Sequence, residues 1–580
     1  MTFGGAIPGP RWRGIVRFIV VLASLAALTA MLVAPAGAQG NPPAATAATA
    51  IPVAITVDAG KSLGELRPIW RMFGADEPNY ATMKDGRKLI AELGELRPED
   101  VYFRAHNLLC TGDGTPALKW GSTGIYTEDQ DGKPVYNWTI VDRIVDTYRA
   151  RGVHPYLELG FMPEALSTNP QPYQHEWRPG SGKLDTGWSY PPKDYGRFAE
   201  LVYQWVKHCV DRYGRAEVER WYFETWNEAN LGAYWHGTPE DFYKLHDYAI
   251  DAVRRALPTA RVGGPDAAGS GGAFMQNFLR HVAGGVNYAT GHQGTPTDFL
   301  SFHAKGSPGF ADGHVRLGIS AQLRDIDRGF TAISAVPELK DKPIVVGEFD
   351  PDGCAACQGP QLGYRNTTMY SSYTAEVFSR ARDIAARRGV HLDAALTWAF
   401  EFEDQPFFAG QRTLANNGID LPVLNTFRMF SRMSGLRVEA HSSEEVRLDD
   451  IVQNGVRGKP DVAALASLDG KKLAVLAWYY HDDDDAGPDA AVELAIDHLP
   501  LGNGEGRLTL YRVDRTHSNA FEVWKGMGAP TAPNGAQYAQ LVKAGQLASD
   551  PPIPVAVKEG AASLKFTLPR QAVYLFVLEM

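Results

Sequence analysis

The sequence predicts a (β/α)8 barrel followed by a β-sandwich, and three observations carry that prediction. Eight short β-like runs alternate with amphipathic helical stretches up to about residue 435. No glycine-rich phosphate turn follows the first run, as an open doubly wound sheet would want. From about residue 436 the helical period gives way to strand-like runs joined by turn-rich segments.

The N-terminus reads as a secretory signal peptide over residues 1–38. Arg11, Arg13 and Arg17 precede an apolar stretch from Phe18 to Val33, and Ala36-Gly37-Ala38 is a small-x-small cleavage site. Cleavage after Ala38 would deliver a secreted or periplasmic protein with no stable membrane insertion. An uncleaved anchor is the alternative, because the apolar stretch is long for a signal. An Ala/Pro/Thr-rich linker over residues 39–52 follows.

The barrel is expected over residues 53–435. Its candidate strands are Ile69–Ala75, Asp100–Arg104, His154–Leu159, Trp221–Trp226, Arg261–Gly264, Phe299–His303, Ile344–Glu348 and Ala395–Ala399. Between the third and fourth, Tyr195, Phe198, Leu201, Val202, Trp205, Cys209 and Val210 recur at helical spacing. After the fourth, Thr238-Pro239-Glu240-Asp241 is a helix start, with a capping residue, proline in the first turn and acids behind it. Pro258 ends that helix. The sandwich is expected over 436–580, from runs such as Leu473–Tyr479 and Val573–Leu578, with Ile51–Val57 available to add a strand to it. The run Asp482–Asp485 reads as a solvated loop.

Composition narrows the function. Net charge is −10 with 21% charged residues of mixed sign, which argues against a nucleic-acid partner. Thirteen Trp and 24 Tyr provide faces on which sugar rings stack, although aromatics also fill cores. Of the four cysteines, Cys354 and Cys357 are spaced to close a small loop in an exported protein, and Cys209 lies on an apolar helix face. A zinc site would want a second pair at similar spacing, and the sequence has none.

The chemistry is concentrated in two glutamates 120 residues apart. Glu228 follows the fourth strand in Trp226-Asn227-Glu228, and Glu348 ends the seventh in Ile344-Val345-Val346-Gly347-Glu348. Carboxylates at the C-terminal ends of barrel strands point into the active-site face of that fold. Two facing carboxylates are the machinery for breaking a glycosidic bond. Asn227, beside the first, is placed to hydrogen-bond a sugar 2-hydroxyl. Asp350 and Asp352 are rival nucleophiles beyond the strand end.

These stretches resemble glycoside hydrolase family 39, the family of β-xylosidases and α-L-iduronidases. The resemblance runs through Phe103 to Leu109, Glu158 to Leu166, Trp221 to Leu231, Val262-Gly263-Gly264-Pro265, Phe299 to His303, Ala395 to Trp398 and the tail segments Tyr511 to Asp514 and His517 to Ala520. It implies a retaining double displacement with Glu228 as acid/base and Glu348 as nucleophile, and no metal or organic cofactor. By the same resemblance His106 and His303 line the subsite of the cleaved sugar and Trp398 forms its floor. Arg104 either orients a carboxylate or sits in a buried ion pair. Glu403 and Asp404 either hold sugar hydroxyls or are solvated loop acids. The partner is an oligosaccharide or polysaccharide, and relatives of this kind often form homo-oligomers. Retention would place the two carboxyl groups ~5–5.5 Å apart.

The sequence departs from the family pattern at Ala229, where proline is usual, at Lys305, where an aromatic is usual, and after Glu348. Lys305 either favours an acidic sugar or pairs with Asp350, the preferred reading. The activity expected is exo-acting removal of xylose or a related sugar. The alternatives are an endo-acting exopolysaccharide hydrolase and an inactive carbohydrate-binding protein.

Overall fold

The computed structural model describes residues 49–174, 177–178 and 186–580. The signal peptide and most of the linker lie outside the described residues. Ile51 and Pro52, counted with the linker on sequence, already belong to a strand, Ile51–Glu65.

Eight parallel strands close into a barrel in the chain order expected. They are Met72–Ala75, Val101–Ala105, Val153–Glu158, Tyr222–Glu224, Arg261–Ala267, Phe299–Lys305, Ile344–Asp350 and Leu392–Thr397. Side chains alternate between the inside and outside of such a strand. The inner positions nearest the N-terminal ends form a closed apolar layer of Met72, Tyr102, Tyr156, Tyr222, Phe299, Val345, Leu396 and their neighbours. Tyr222 and Phe299 meet edge-on at 5.1 Å, and Tyr156 stacks on Tyr222 at 5.1 Å. Amphipathic helices cover the outside. The helix Tyr195–Tyr213 buries Phe198, Leu201, Val202, Trp205 and Cys209, the stripe read from the sequence. The helix Pro239–Ala256 starts in a full capping box, with Thr238 and Asp241 exchanging side-chain and backbone hydrogen bonds.

Two glycines are fixed by close approach. A β-carbon on Gly74 would lie 2.4 Å from the Trp398 indole, and one on Gly347 would lie 1.9 Å from an Asp266 carboxylate oxygen. Larger residues at either position would displace groups of the barrel mouth.

The C-terminal strands form a ten-stranded sheet folded about its own apolar core. Ile51–Glu65 lies inside this sheet, antiparallel to Leu436–Ser442 and parallel to Ala490–Asp497. The strand Ala490–Asp497 buries every second residue, the signature of a one-sided sheet. A buried ion cluster joins sandwich to barrel. Arg380 on the long helix Thr368–Arg388 bonds Glu376 (2.6 Å), Glu445 (2.6 Å) and Asp461 (2.5 Å).

Of the run Asp482–Asp485, which reads as a solvated loop, Asp484 and Asp485 are exposed as expected, and the structure corrects the reading for the first two acids. Asp482 is fully buried and accepts hydrogen bonds from the Tyr480 hydroxyl (2.6 Å) and the Val456 N–H (3.0 Å). Asp483 pairs with Arg316, which stands on a hairpin after the sixth barrel strand. These acids stitch the sandwich to a loop of the barrel mouth. Among the described residues no helix is long and apolar enough to cross a membrane.

Candidate active site

Two residues further along the same strands, the barrel interior becomes ionic. Arg104, Glu158, Glu224, Ser301 and His303 follow Tyr102, Tyr156, Tyr222 and Phe299 at inward spacing, and all are fully buried. Arg104 is the hub. Its Nε donates to Glu224 at 2.8 Å, and its Nη2 lies 2.8 Å from Glu158 and 2.6 Å from Asp266. Its distance to Glu348 is 3.9 Å. Of the two roles open to Arg104, the buried ion pair is therefore the one its contacts show. A buried cation surrounded by carboxylates is held because each compensates the other's lost hydration. Burial, with Asp266 nearby, pushes Glu224 up to about 8, against the hydrogen bonds it accepts from Arg104, Tyr156 and Ser301.

Glu228 leaves the fourth strand through an unusual backbone. Trp226 and Glu228 have φ of 66° and 45°, in the left-handed region that non-glycine residues rarely enter. Such residues cost about 1–3 kcal/mol each and persist where surrounding contacts fix them. Here the Glu228 N–H donates to the Asp266 carbonyl at 3.0 Å, and the Trp226 indole N–H donates to the Tyr234 carbonyl at 2.9 Å. Asn227 accepts from Arg104 through its side-chain oxygen at 3.2 Å. Its amide nitrogen is buried with no protein partner, a donor left free for a ligand.

Glu348 sits opposite. One oxygen of Glu228, one ring nitrogen of His303 and one oxygen of Glu348 lie within 4.8 Å of one another. Lys305 donates to the Glu348 carboxylate, and His106 Nε2 and His303 Nδ1 approach its other oxygen at 3.5 and 3.8 Å. Burial would raise the Glu348 carboxyl, but Lys305, His303 and His106 outweigh it and hold it well below the usual carboxylate range.

That contact corrects the expected pairing of Lys305 with Asp350. Asp350 instead accepts two hydrogen bonds from the Trp398 N–H, at 3.1 and 3.2 Å, and lies 3.4 Å from Arg412. With its oxygens engaged there, the lysine turns to Glu348. The rival nucleophiles are likewise occupied, since Asp352 is clamped by Arg365 (2.9 Å) and Arg412 (2.6 Å).

His106 and Trp398 meet at the barrel mouth. Their rings are 4.4 Å apart, and both are buried at the mouth. His106 bonds Glu158, and Trp398 Nε1 donates to Asp76 at 3.1 Å. A small cavity beside them is lined by Asp76, His106, Asn107, Lys119, Phe161, Trp188 and Tyr234. Lys119 donates to the Asp76 carboxylate. Asp76, Glu158, Glu224 and Asp266 were not among the residues expected from sequence, yet Glu158 and Glu224 each lie two positions after an inward tyrosine.

Glu403 engages a helix start through one oxygen. Its carboxylate accepts the N–H groups of Asp85 (2.5 Å) and Gly86 (2.9 Å), at the start of the helix Lys84–Leu96. A carboxylate there satisfies orphan donors and the positive end of the helix. Cys354 and Cys357 form a disulfide in the loop after the seventh strand, and Cys110 and Cys209 are free and buried.

The model of glycosyl hydrolases family 39 matches residues 53–561. The chain belongs to glycosyl hydrolase family 39. It is accordingly a glycosidase acting on carbohydrate. It is 28% identical over 472 residues to a β-xylosidase of Geobacillus stearothermophilus, covering 78% of this chain and 80% of that protein. It is also 25% identical over 586 residues to the human α-L-iduronidase, covering 94% and 80%. Among solved structures, a monomeric β-xylosidase from Caulobacter crescentus CB15 superposes with a TM-score of 0.72 at 23% identity, covering 91% of this chain and 99% of that one. That likeness bears on the fold, a barrel with a C-terminal sandwich.

Proposed function

We propose that this family 39 enzyme is a retaining, exo-acting β-xylosidase, with Glu348 as nucleophile and Glu228 as acid/base. The observation that carries the reading is the approach of the two carboxylates to within 4.8 Å, with Lys305 bonded to Glu348. An inverting pair stands ~6.5–9.5 Å apart to admit a water, whereas a retaining pair stands closer. The ion pair keeps Glu348 anionic, as a nucleophile must be. Glu348 attacks the anomeric carbon while Glu228 protonates the leaving oxygen, and a glycosyl ester forms. Glu228 then removes a proton from water, which displaces Glu348 as its carboxylate. The free amide donor of Asn227 suits the sugar 2-hydroxyl, whose hydrogen bond strengthens in the transition state.

Two observations support a neutral sugar. Lys305 and Lys119 are already bonded to Glu348 and Asp76, so the charge of each is offset by a protein carboxylate. The β-xylosidase relative at 28% identity favours xylose among neutral sugars. The basic, apolar and small-residue order of residues 1–38 supports export.

The test is hydrolysis of aryl xyloside, arabinoside, glucoside, galactoside, glucuronide and iduronide, beside Glu348→Ala and Glu228→Ala. Release from the xyloside, lost by at least about 10³-fold (~4 kcal/mol) in Glu348→Ala, is expected. Preference for a uronide would overturn the sugar assignment. Activity that survives Glu348→Ala would overturn the roles.

A further inference from the structure

Asp266 stands at the end of the fifth strand, fully buried, in a left-handed backbone conformation with φ of 49°. Its backbone and one carboxylate oxygen are used on the acid/base side of the site. Its carbonyl accepts the Glu228 N–H at 3.0 Å, and its own N–H donates to Ser301 Oγ at 3.1 Å. Its carboxylate lies 2.6 Å from Arg104 and 2.8 Å from His303 Nε2. The other ring nitrogen of His303 lies 2.7 Å from Glu228. The strand that carries Glu348 leaves room for this carboxylate, because only a glycine fits at 347. The structure is built around Asp266 at four separate points.

His303 thus lies between two carboxylates. A neutral imidazole has one N–H and can serve one of them, whereas an imidazolium serves both. The contact with Asp266 is an ion pair in close approach rather than an aligned hydrogen bond, so charge carries it. The groups facing the ring are Asp266 from the fifth strand, Glu228 from the fourth and Glu348 from the seventh. Two cations stand beyond them, Arg104 on Asp266 and Lys305 on Glu348, each engaged with its own carboxylate. Burial would push the imidazole down, but Asp266, Glu348 and Glu228 together raise it to about 10.

We propose that Asp266 is a positioning residue that holds His303 as an imidazolium against Glu228, so that Glu228 becomes an effective base in the second half of the reaction. The inference rests on the roles assigned to Glu228 and Glu348 above. Before glycosylation the anionic Glu348 opposes His303 and helps Glu228 keep its proton. Glu228 gives that proton to the leaving oxygen as Glu348 bonds the anomeric carbon and loses its charge in the ester. The imidazolium, still held by Asp266, then faces one carboxylate fewer and, with Lys305 released from Glu348, favours the Glu228 carboxylate. Glu228 takes a proton from the attacking water, Glu348 leaves as a carboxylate, and the starting protonation returns. Without Asp266, His303 loses the largest of the three charges that raise it, and the second half would slow.

Asp266→Asn keeps the shape and removes the charge. It is tested with the 2,4-dinitrophenyl glycoside of whichever sugar is turned over in the aryl panel, since that leaving group needs no acid. The expected result is a burst of dinitrophenol equal to the enzyme, then a steady state at least tenfold slower than wild type. Azide, which needs no base, restores turnover, and the pH optimum moves upward. Equal slowing of both halves, with no burst, no azide effect and no shift in pH optimum, would overturn the proposal and leave Asp266 a structural residue. Glu228→Ala is run alongside. If it shows neither leaving-group dependence nor azide rescue, the assignment of Glu228 fails; if it shows both and Asp266→Asn neither, the inference about Asp266 alone fails. Should Asp266→Asn not fold, ¹⁵N-histidine NMR of the wild type decides: a His303 imidazolium at pH 8 supports the proposal, and a neutral ring at pH 8 overturns it.

Discussion

The barrel interior divides into two layers that share the same strands. Tyr102, Tyr156, Tyr222 and Phe299 form an apolar layer, while Arg104, Glu158, Glu224 and Ser301, two residues on, form an ionic one. The strand period of two puts both sets inside. Yet one layer needs nothing beyond burial, and the other holds only while every charge keeps its partner. The apolar layer gives closure and stability. The ionic layer sets protonation, with Glu224 raised to about 8, Glu348 held well below the usual carboxylate range and the two histidines raised to about 9 and 10. Fold and chemistry are therefore divided along the strand axis, with about two residues between them.

Breaking a buried charge pair just behind the mouth should have the largest effect. Asp352→Asn leaves Arg365 and Arg412 without their shared anion, and a loss of about 3–5 kcal/mol in urea unfolding is expected. The sign of its pH dependence follows from the pair. The two arginines outweigh burial and hold the folded Asp352 carboxyl below its unfolded value near 3.9. Its stabilisation is fully present above that value and is lost as pH falls, so wild type and variant should converge in acid. A difference that persists unchanged to acid pH would mean the charge is not what matters.

Removing an apolar partner should cost stability without touching the chemistry. Phe299→Ala, emptying a fully buried site between Tyr156 and Tyr222, should lose about 3 kcal/mol. Its kcat/KM per folded molecule should stay within about threefold of wild type. A larger kinetic effect would mean that the layers are not separable.

The division was half legible in the sequence. All eight barrel strands were found, none with a boundary out by more than three residues, because short apolar runs between amphipathic helices leave little choice. Glu228, Glu348, His106, His303 and Trp398 were legible from motif and position. Their partners were not. Nothing local tells that Lys305 bonds Glu348 rather than Asp350, since that depends on Trp398 and Arg412 occupying Asp350 from elsewhere in the chain. The acids Asp482 and Asp483 looked solvated for the same reason, as their partners lie up to 167 residues away. Glu403 stays open between sugar and solvent in the sequence, and its bond to a helix start is not legible there, because an acid in a loop past a strand has the same local pattern in each case.

Lys305→Ala sharpens the claim that the ionic layer sets protonation. With the cation gone, Glu348 should titrate at higher pH, so the acid limb of the kcat/KM profile should move upward. A shift of one unit corresponds to ~1.4 kcal/mol. An unmoved acid limb would mean that His106 and His303 suffice. Glu403→Ala should do least, losing about 0.5–2 kcal/mol of stability as a helix cap. Its KM should not change, whereas a raised KM would place Glu403 at the sugar site.

The most direct test of the account is to trap the intermediate. Incubation with an activated 2-deoxy-2-fluoro xyloside, followed by peptide mass mapping, should place one sugar on Glu348 and abolish activity in step with labelling. A label on Asp350 or Asp352, or turnover of an unsubstituted xyloside with inversion at the anomeric carbon, would contradict it.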